Sequence, residues 1–327
     1  VMQIQGKNFL IIGRAGMDMY PDPPGTRTED ATHFFTCLGG SSANIGVAIT
    51  RLGGRASLVT RVADDAIGRY CCNQLDHYGI DRTHVHAEGG EARNSLAVVE
   101  TRIEDHQSVI YRNGAADFEM TIADVEAVDY TAFDALITTG TVFAAEPSRS
   151  AAFRAFELAK EAGLPLIFDV DYRPYSWPSA EVAAEVYSRA GAMCDVIVGN
   201  DVEFGFMAGD YDQGLEKARE LVGNGAAIAV YKMGEEGAVT ITPEGEVRTG
   251  IYRTQALKPT GAGDSFMGGF VSGLADGLPI GEAVLQGSAN AAMVVARVGC
   301  APAMPTHAEL DAFLNEHPGP TRAGEPA

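Results

Sequence analysis

The residues best suited to chemistry lie in KPTGAGDSFMGGFV, the stretch from Lys258 to Val271. Pro259 keeps the residue before it out of a helix, and Gly261 and Gly263 let the backbone turn where a side chain would clash. Phe266, Phe270, Val271 and Leu274 then recur at helical spacing, which predicts a helix beginning near Asp264. A glycine turn feeding a helix N-terminus offers free amide N–H groups and the positive end of a dipole, and both suit a phosphate. A carboxylate in that first turn would repel phosphate as an anchor. It suits a general base that takes the proton from an attacking hydroxyl. The plainer reading of Asp264 is a helix cap, and the stretch alone leaves both open.

Other polar groups stand where strands should end. In GRAGMD, Asp18 follows the first strand and could bind sugar hydroxyls, or be loop surface. In LGGSSANIGVA, Gly39 and Gly40 precede a helix with Asn44 in its first turn, a residue that could bind substrate or cap. No Gly-Lys-Ser/Thr follows, so this is not a P-loop, and it does not fit the dinucleotide fingerprint either. In FDVDYRPYSW, Arg173 precedes a proline in extended chain, a good place for a guanidinium that holds a carboxylate or phosphate. It could equally pair with Asp169 or Asp171 and only shape its loop. Asn200 and Glu203 are three apart at a helix start; they could hold the water shell of Mg²⁺ or form an ordinary cap. Gly234 and Gly237 in MGEEG form a turn between strands where a nucleotide could lie.

The elements that must position these groups alternate. Residues 9–13, 56–61, 133–139, 166–169, 196–199 and 227–232 read as strands, and residues 42–52, 67–78, 148–162 and 180–190 as helices. This rhythm predicts an α/β fold with a doubly wound, mainly parallel sheet covered on both faces, its ligands outside the carboxyl ends of the strands. Two stretches break the rhythm, a polar Pro-rich one at about 15–36 and a pair of alternating strands at about 92–113. Together they predict a small β-sheet lid on one domain covering residues 1–316, with a disordered tail at 317–327. A formal charge of −20 argues against nucleic acid and anionic membranes as partners. No apolar run approaches a membrane span, no signal-peptide layout opens the chain, and the five cysteines have no metal-ligand spacing. These features predict a soluble protein of the reducing cytoplasm.

Taken in order, Asp18, GGSSAN with Asn44, ADDAIG with Asp65 and Gly68, Asn200 to Glu203, MGEEG and the GAGD loop resemble the PfkB (ribokinase-like) family of carbohydrate kinases over residues 8–315. The resemblance implies a ribokinase-like fold and transfer of the γ-phosphoryl group of ATP, with Mg²⁺, to a sugar hydroxyl. It implies Asp264 as the base and the amides of Gly261, Ala262 and Gly263 as an anion hole. Asp18, Gly40 and Asn44 would hold the sugar. Asn200 and Glu203 would organise Mg²⁺ and phosphates, Lys232, Gly234 and Gly237 would line the nucleotide site, and Asn290 would lie near the adenine. Such lids often pair, so Phe34, Phe35 and Val99 permit a homodimer.

Within the family, GRAGMDMYP, TTGTVFAAEPSR and above all FDVDYRPYSW look like the branch acting on 5-dehydro-2-deoxygluconate in inositol breakdown. A sugar acid needs arginines, and Arg173, Arg14 and Arg112 are the candidates. The runner-up substrate is 2-keto-3-deoxygluconate, ahead of fructose or ribose, and a catalytically silent sugar-binding relative is the reading from a different class. One position departs from the family: Lys258 stands where many relatives carry an aspartate that helps bind an activating K⁺. A monovalent cation should then not be required. The lysine either points to solvent or reaches the same carbonyl oxygens as a tethered cation.

Overall fold

The structure is a computed structural model and describes residues 2–321. Its strands in chain order are β1 (Asn8–Ile12), β2 (Gly16–Pro21), β3 (Phe34–Gly39), β4 (Arg55–Ala63), β5 (Asp81–Glu88), β6 (Leu96–Val99), β7 (Ser108–Tyr111), β8 (Ala135–Thr139), β9 (Leu166–Asp169), β10 (Val196–Asn200), β11 (Ile228–Lys232), β12 (Ala238–Thr242) and β13 (Gly245–Thr249). Nine form one sheet in the order β13-β12-β11-β10-β9-β8-β1-β4-β5. All neighbours are parallel except at the β12 and β13 edge, where pairing is antiparallel. The chain runs outward from β1 in both directions, so a topological switch point lies between β1 and β8. A crevice opens there at the carboxyl ends.

FLII in β1 explains the doubly covered sheet. Side chains alternate across a strand. Leu10 and Ile12 enter the core under the helices Ser148–Glu161 and Ala180–Met193, while Phe9 and Ile11 enter the core under Ser41–Arg51 and Ala262–Ala275. A strand buried on both faces reads as an unbroken apolar run. The edge strands β5 and β13 are mostly exposed and polar, which guards against edge pairing and hides them from a search for apolar patterns.

The lid is a second sheet in the order β3-β2-β6-β7. Its strands are shorter than the alternation at 95–112 suggests. After Val99 the Glu100 carboxylate accepts hydrogen bonds from the Thr28 and Gln107 amides and turns the chain back. The inner face carries Tyr20, Cys37, Ala97 and Val99, so Val99 is buried within the chain. Residues 317–321, expected to be disordered, are placed: Thr321 bridges to Ile251, and the His317 ring packs on Tyr252 and Phe313. Residues 322–327 of the expected tail lie outside the described residues. Among the described residues, no helix is long and apolar enough to cross a membrane.

Candidate functional site

Gly261 is left-handed at φ 86°, and the helix Ala262–Ala275 begins directly after it, two residues earlier than its apolar spacing suggests. A Cβ at Gly261 would lie 2.9 Å from Cys300 Sγ, so glycine is needed for both space and backbone. Asp264 is therefore the third helical residue, and it makes no capping bond. Its Oδ2 instead accepts a hydrogen bond from Asn44 Nδ2 at 2.9 Å.

That contact follows from how two helices cross. Ala48 lies one turn beyond Asn44, and Gly268 one turn beyond Asp264, each on the same helix face as its partner. A Cβ on Gly268 would stand 2.3 Å from Ala48 Cβ. Only glycine lets the helices approach closely enough for the amide to reach the carboxylate. Burial pushes the Asp264 carboxyl up to about 7, Asp171 adds to the rise, and the Asn44 bond, Arg173 and Arg14 oppose it. A carboxyl at that value is matched to accept a proton near neutrality.

Asp264 faces a cavity of about 1170 Å³ outside the carboxyl ends of the strands. At one end stand Arg14, Asp18, Gly40, Asn44 and Arg173, beneath the lid residues Tyr20 and Val99. Burial pushes the Asp18 carboxyl up to about 6, partly offset by Arg14, Tyr20 and Lys258. Arg14 donates to Ser95 Oγ at 3.0 Å, while its Nε is buried without a partner. Arg173 pairs with Asp171 at 2.8 Å and stays partly exposed, so it both shapes its loop and lines the cavity. The Asn44 Oδ1 and Asp171 Oδ2 atoms are also buried without partners. Asp171 has a φ of 38°, a conformation a non-glycine residue adopts only when its surroundings hold it. Asp169 and Asp171 are cavity carboxylates that pattern reading saw only as partners for Arg173. Their signal was their place at the carboxyl end of a buried parallel strand.

At the other end Lys232, Gly234 and Gly237 join the irregular segment 250–256 that follows β13. The Lys232 ammonium lies 4.9 Å from the centre of the Phe266 ring, beside the first turn of the Asp264 helix. Asn200 and Glu203 also line the cavity, and they form a complete capping box with both bonds at 2.8 Å. Glu203 Oε1 accepts from the Tyr172 amide at 3.2 Å. Among the described residues no three His, Cys, Asp or Glu side chains group as a metal cage. One carboxylate and one carboxamide fit Mg²⁺, which keeps several waters and takes its other ligands from phosphates.

Two candidate residues stand outside the cavity lining, and Lys258 takes one of the two places the sequence left open. Arg112 does not line the cavity; it is buried against Asp117, donates to the Thr141 carbonyl and stacks over Phe118. Asn290 is not in the lining either: it is fully buried and donates to the Ser265 carbonyl at 3.2 Å, while its helix meets the cavity through Ser288, Ala291, Ala292 and Val295. Lys258 does not point to solvent. It is 0% exposed, and its Nζ donates to the carbonyls of Thr260 at 2.9 Å and Val294 at 3.1 Å. Asp65 also lies away from the cavity and caps the helix Ala66–His77 through the Ile67 and Gly68 amides.

The family model for pfkB family carbohydrate kinases matches residues 7–307. The 5-dehydro-2-deoxygluconokinase of Geobacillus kaustophilus is 35% identical over 315 residues, covering 95% of this chain and 94% of its own. Among solved structures, a PfkB protein from a Polaromonas species is 28% identical with a TM-score of 0.81, covering 94% of this chain and 100% of its own. A Vibrio cholerae fructokinase, solved with fructose, ADP and a potassium ion, is 26% identical with a TM-score of 0.82, covering 96% and 100%.

Proposed function

Since this chain belongs to the pfkB family of carbohydrate kinases, we propose that it transfers the γ-phosphoryl group of ATP to a primary hydroxyl of a sugar acid, 5-dehydro-2-deoxygluconate, in inositol breakdown. The observation that carries the sugar-acid reading is the pair of guanidinium groups, Arg14 and Arg173, at the end of the cavity that also holds Asp18 and Asn44. A neutral sugar asks for hydroxyl partners, whereas a carboxylate asks for a planar cation. The name of the Geobacillus relative points the same way.

In this reading Asp264 takes the proton from the attacking hydroxyl while Asn44 Nδ2 holds its carboxylate in place. Asp18, Gly40 and Asn44 Oδ1 hold sugar hydroxyls. The amides of Gly261, Ala262 and Gly263 receive the charge of the transferred group, as a helix N-terminus can. Lys232, Gly234 and Gly237 line the nucleotide end. Mg²⁺, held through its waters by Asn200 and Glu203, would neutralise charge between the phosphates. The lid excludes water, the competing phosphoryl acceptor. Lys258 acts as a tethered cation that makes a bound monovalent ion unnecessary, in contrast to the potassium-bound Vibrio fructokinase. The five free cysteines suit a reducing cytoplasm.

An ADP-release assay with sugar acids against fructose and ribose tests the substrate. Arg173→Ala should raise KM for the sugar acid by about 1.5–3 kcal/mol, the range for a hydrogen bond to a charged group, with KM for ATP unchanged. A preference for fructose or ribose would overturn the sugar-acid reading and leave the family intact. Faster turnover of 2-keto-3-deoxygluconate, which the same arginines would suit, would reassign the substrate.

A further inference from the structure

The nucleotide end of the cavity has one wall without regular structure: Gly250, Ile251, Tyr252, Arg253 and Thr254 line it just after β13. A loop held only at its ends opens at little cost, and a ligand that needs it ordered binds more weakly in proportion. This loop is held from behind. The segment after the helix His307–Glu316 runs along its outer side. Ile251 N donates to Thr321 O at 2.8 Å and Thr321 N to Ile251 O at 2.9 Å. Arg253 Nε donates to Thr321 Oγ1 at 2.9 Å, and His317 Nε2 lies 2.6 Å from the Arg253 carbonyl oxygen. That carbonyl only accepts, so the contact forms when Nε2 carries its proton. The Tyr252 ring packs edge-on against both Phe313 and His317, with centroids 5.7 and 5.5 Å away, and those two rings lie against each other at 4.5 Å.

The contact carries through to the cavity. A Cβ on Gly250 would lie 2.4 Å from the Thr321 carbonyl oxygen, and one on Gly237 would lie 1.9 Å from the Thr249 carbonyl oxygen. Three chain segments are thus stacked with no room for a methyl group between them: the strap at 321, the wall at 249–250 and the Gly237 turn. The strap thus lies directly against the wall at Gly250, next to the strand end that packs on the Gly237 turn.

We propose that the segment from His317 to Thr321 is a strap that sets the nucleotide wall, with His317 and Thr321 as positioning residues for nucleotide binding. The proposal rests on the reading of this end of the cavity as the nucleotide site. The wall's backbone and ring contacts come from outside the cavity, and a nucleotide meets a surface already ordered.

The test is calorimetric titration with ADP, together with steady-state kinetics in which ATP and the sugar acid are varied separately. Wild type is compared with His317→Ala, His317→Gln and a chain ending after Glu316. Loss of the strap should weaken ADP binding and raise KM for ATP by about tenfold, which corresponds to about 1.4 kcal/mol. KM for the sugar acid and kcat at saturating ATP should hold within about twofold, since a tenfold change needs 1.4 kcal/mol and those groups are untouched. His317→Gln keeps a donor for the Arg253 carbonyl and should recover part of the binding lost in His317→Ala. Unchanged ADP affinity in a folded shortened chain would overturn the proposal, as would an equal rise in both KM values. If the shortened chain does not fold, His317→Ala against His317→Gln decides by the same readouts. Wild-type protein that binds no ADP would overturn the nucleotide reading and the strap with it, whereas tight wild-type binding unaffected by the variants would overturn the strap alone.

Discussion

Asp264 differs from a helix-capping aspartate in its partners: it bonds Asn44 across two helices and none of its own backbone amides. Asp264→Asn should leave ADP binding intact and lower kcat by roughly 10²–10⁴, the usual range for losing a general base. Because burial, with Asp171, pushes its carboxyl up to about 7, Asp264 is ionised above that pH and protonated below it. The kcat of the wild type should be flat above about pH 7 and fall about tenfold per unit below it. A profile with no acid limb between pH 5 and 7 would contradict the assignment. Lys258 makes a second prediction at this scale. Its burial pushes the ammonium pKa down, yet the Thr260 and Val294 carbonyls accept hydrogen bonds from it. The wild type should turn over fully in buffer without Na⁺ or K⁺. Lys258→Ala should lose most of its kcat there and regain part of it when K⁺ is added. Strong K⁺ activation of the wild type would show that the ammonium does not replace a bound ion.

At the scale of elements, the site is a crossing of two helix N-termini, and Gly268 sets its distance. Gly268→Ala should cost about 1–3 kcal/mol of stability by overpacking against Ala48. It should also lower kcat more than it raises either KM, because it separates Asn44 from Asp264. Urea denaturation and kinetics on the same protein check both halves, and a variant with lower stability but full kcat would mean the crossing does not position the base. The arginines show the same dependence on elements. Arg14 follows β1 and Arg173 follows β9, both at carboxyl ends, so the sheet delivers them to one cavity from positions far apart in sequence. Arg112 follows a lid strand instead and finds Asp117 before it can reach the cavity.

The whole molecule adds the lid and what covers its outer side. Cross-strand pairing puts Leu96 beside Tyr111 and Val98 beside Val109 on the face opposite the buried Ala97 and Val99. Tyr111 and Val109 are exposed, at 60% and 47%. An apolar sheet face this open suits a second copy of the chain. Phe35, by contrast, pairs with Tyr20 on the inner side and packs toward Gly299, so it is not part of that face. We expect a dimer in light scattering, and Val109→Lys with Tyr111→Asp should shift it to monomer. A wild-type monomer at micromolar concentration would leave the face without that role.

By itself the sequence determined the alternating architecture, the GAGD turn and the family, because apolar periodicity and glycine placement are local and survive without a partner chain segment. The strands of the main sheet followed for the same reason, except β5 and β13, whose exposed edge positions carry no apolar pattern. What only the tertiary structure decided was where long side chains end. Lys258, Arg112 and Asn290 each lie in a motif or segment pointing toward the site, and each was claimed by a nearer acceptor: a pair of carbonyls, Asp117 and the Ser265 carbonyl. A buried polar group must satisfy its hydrogen bonds with whatever packing brings within reach. That partner comes from another element, at a distance no spacing along the chain encodes.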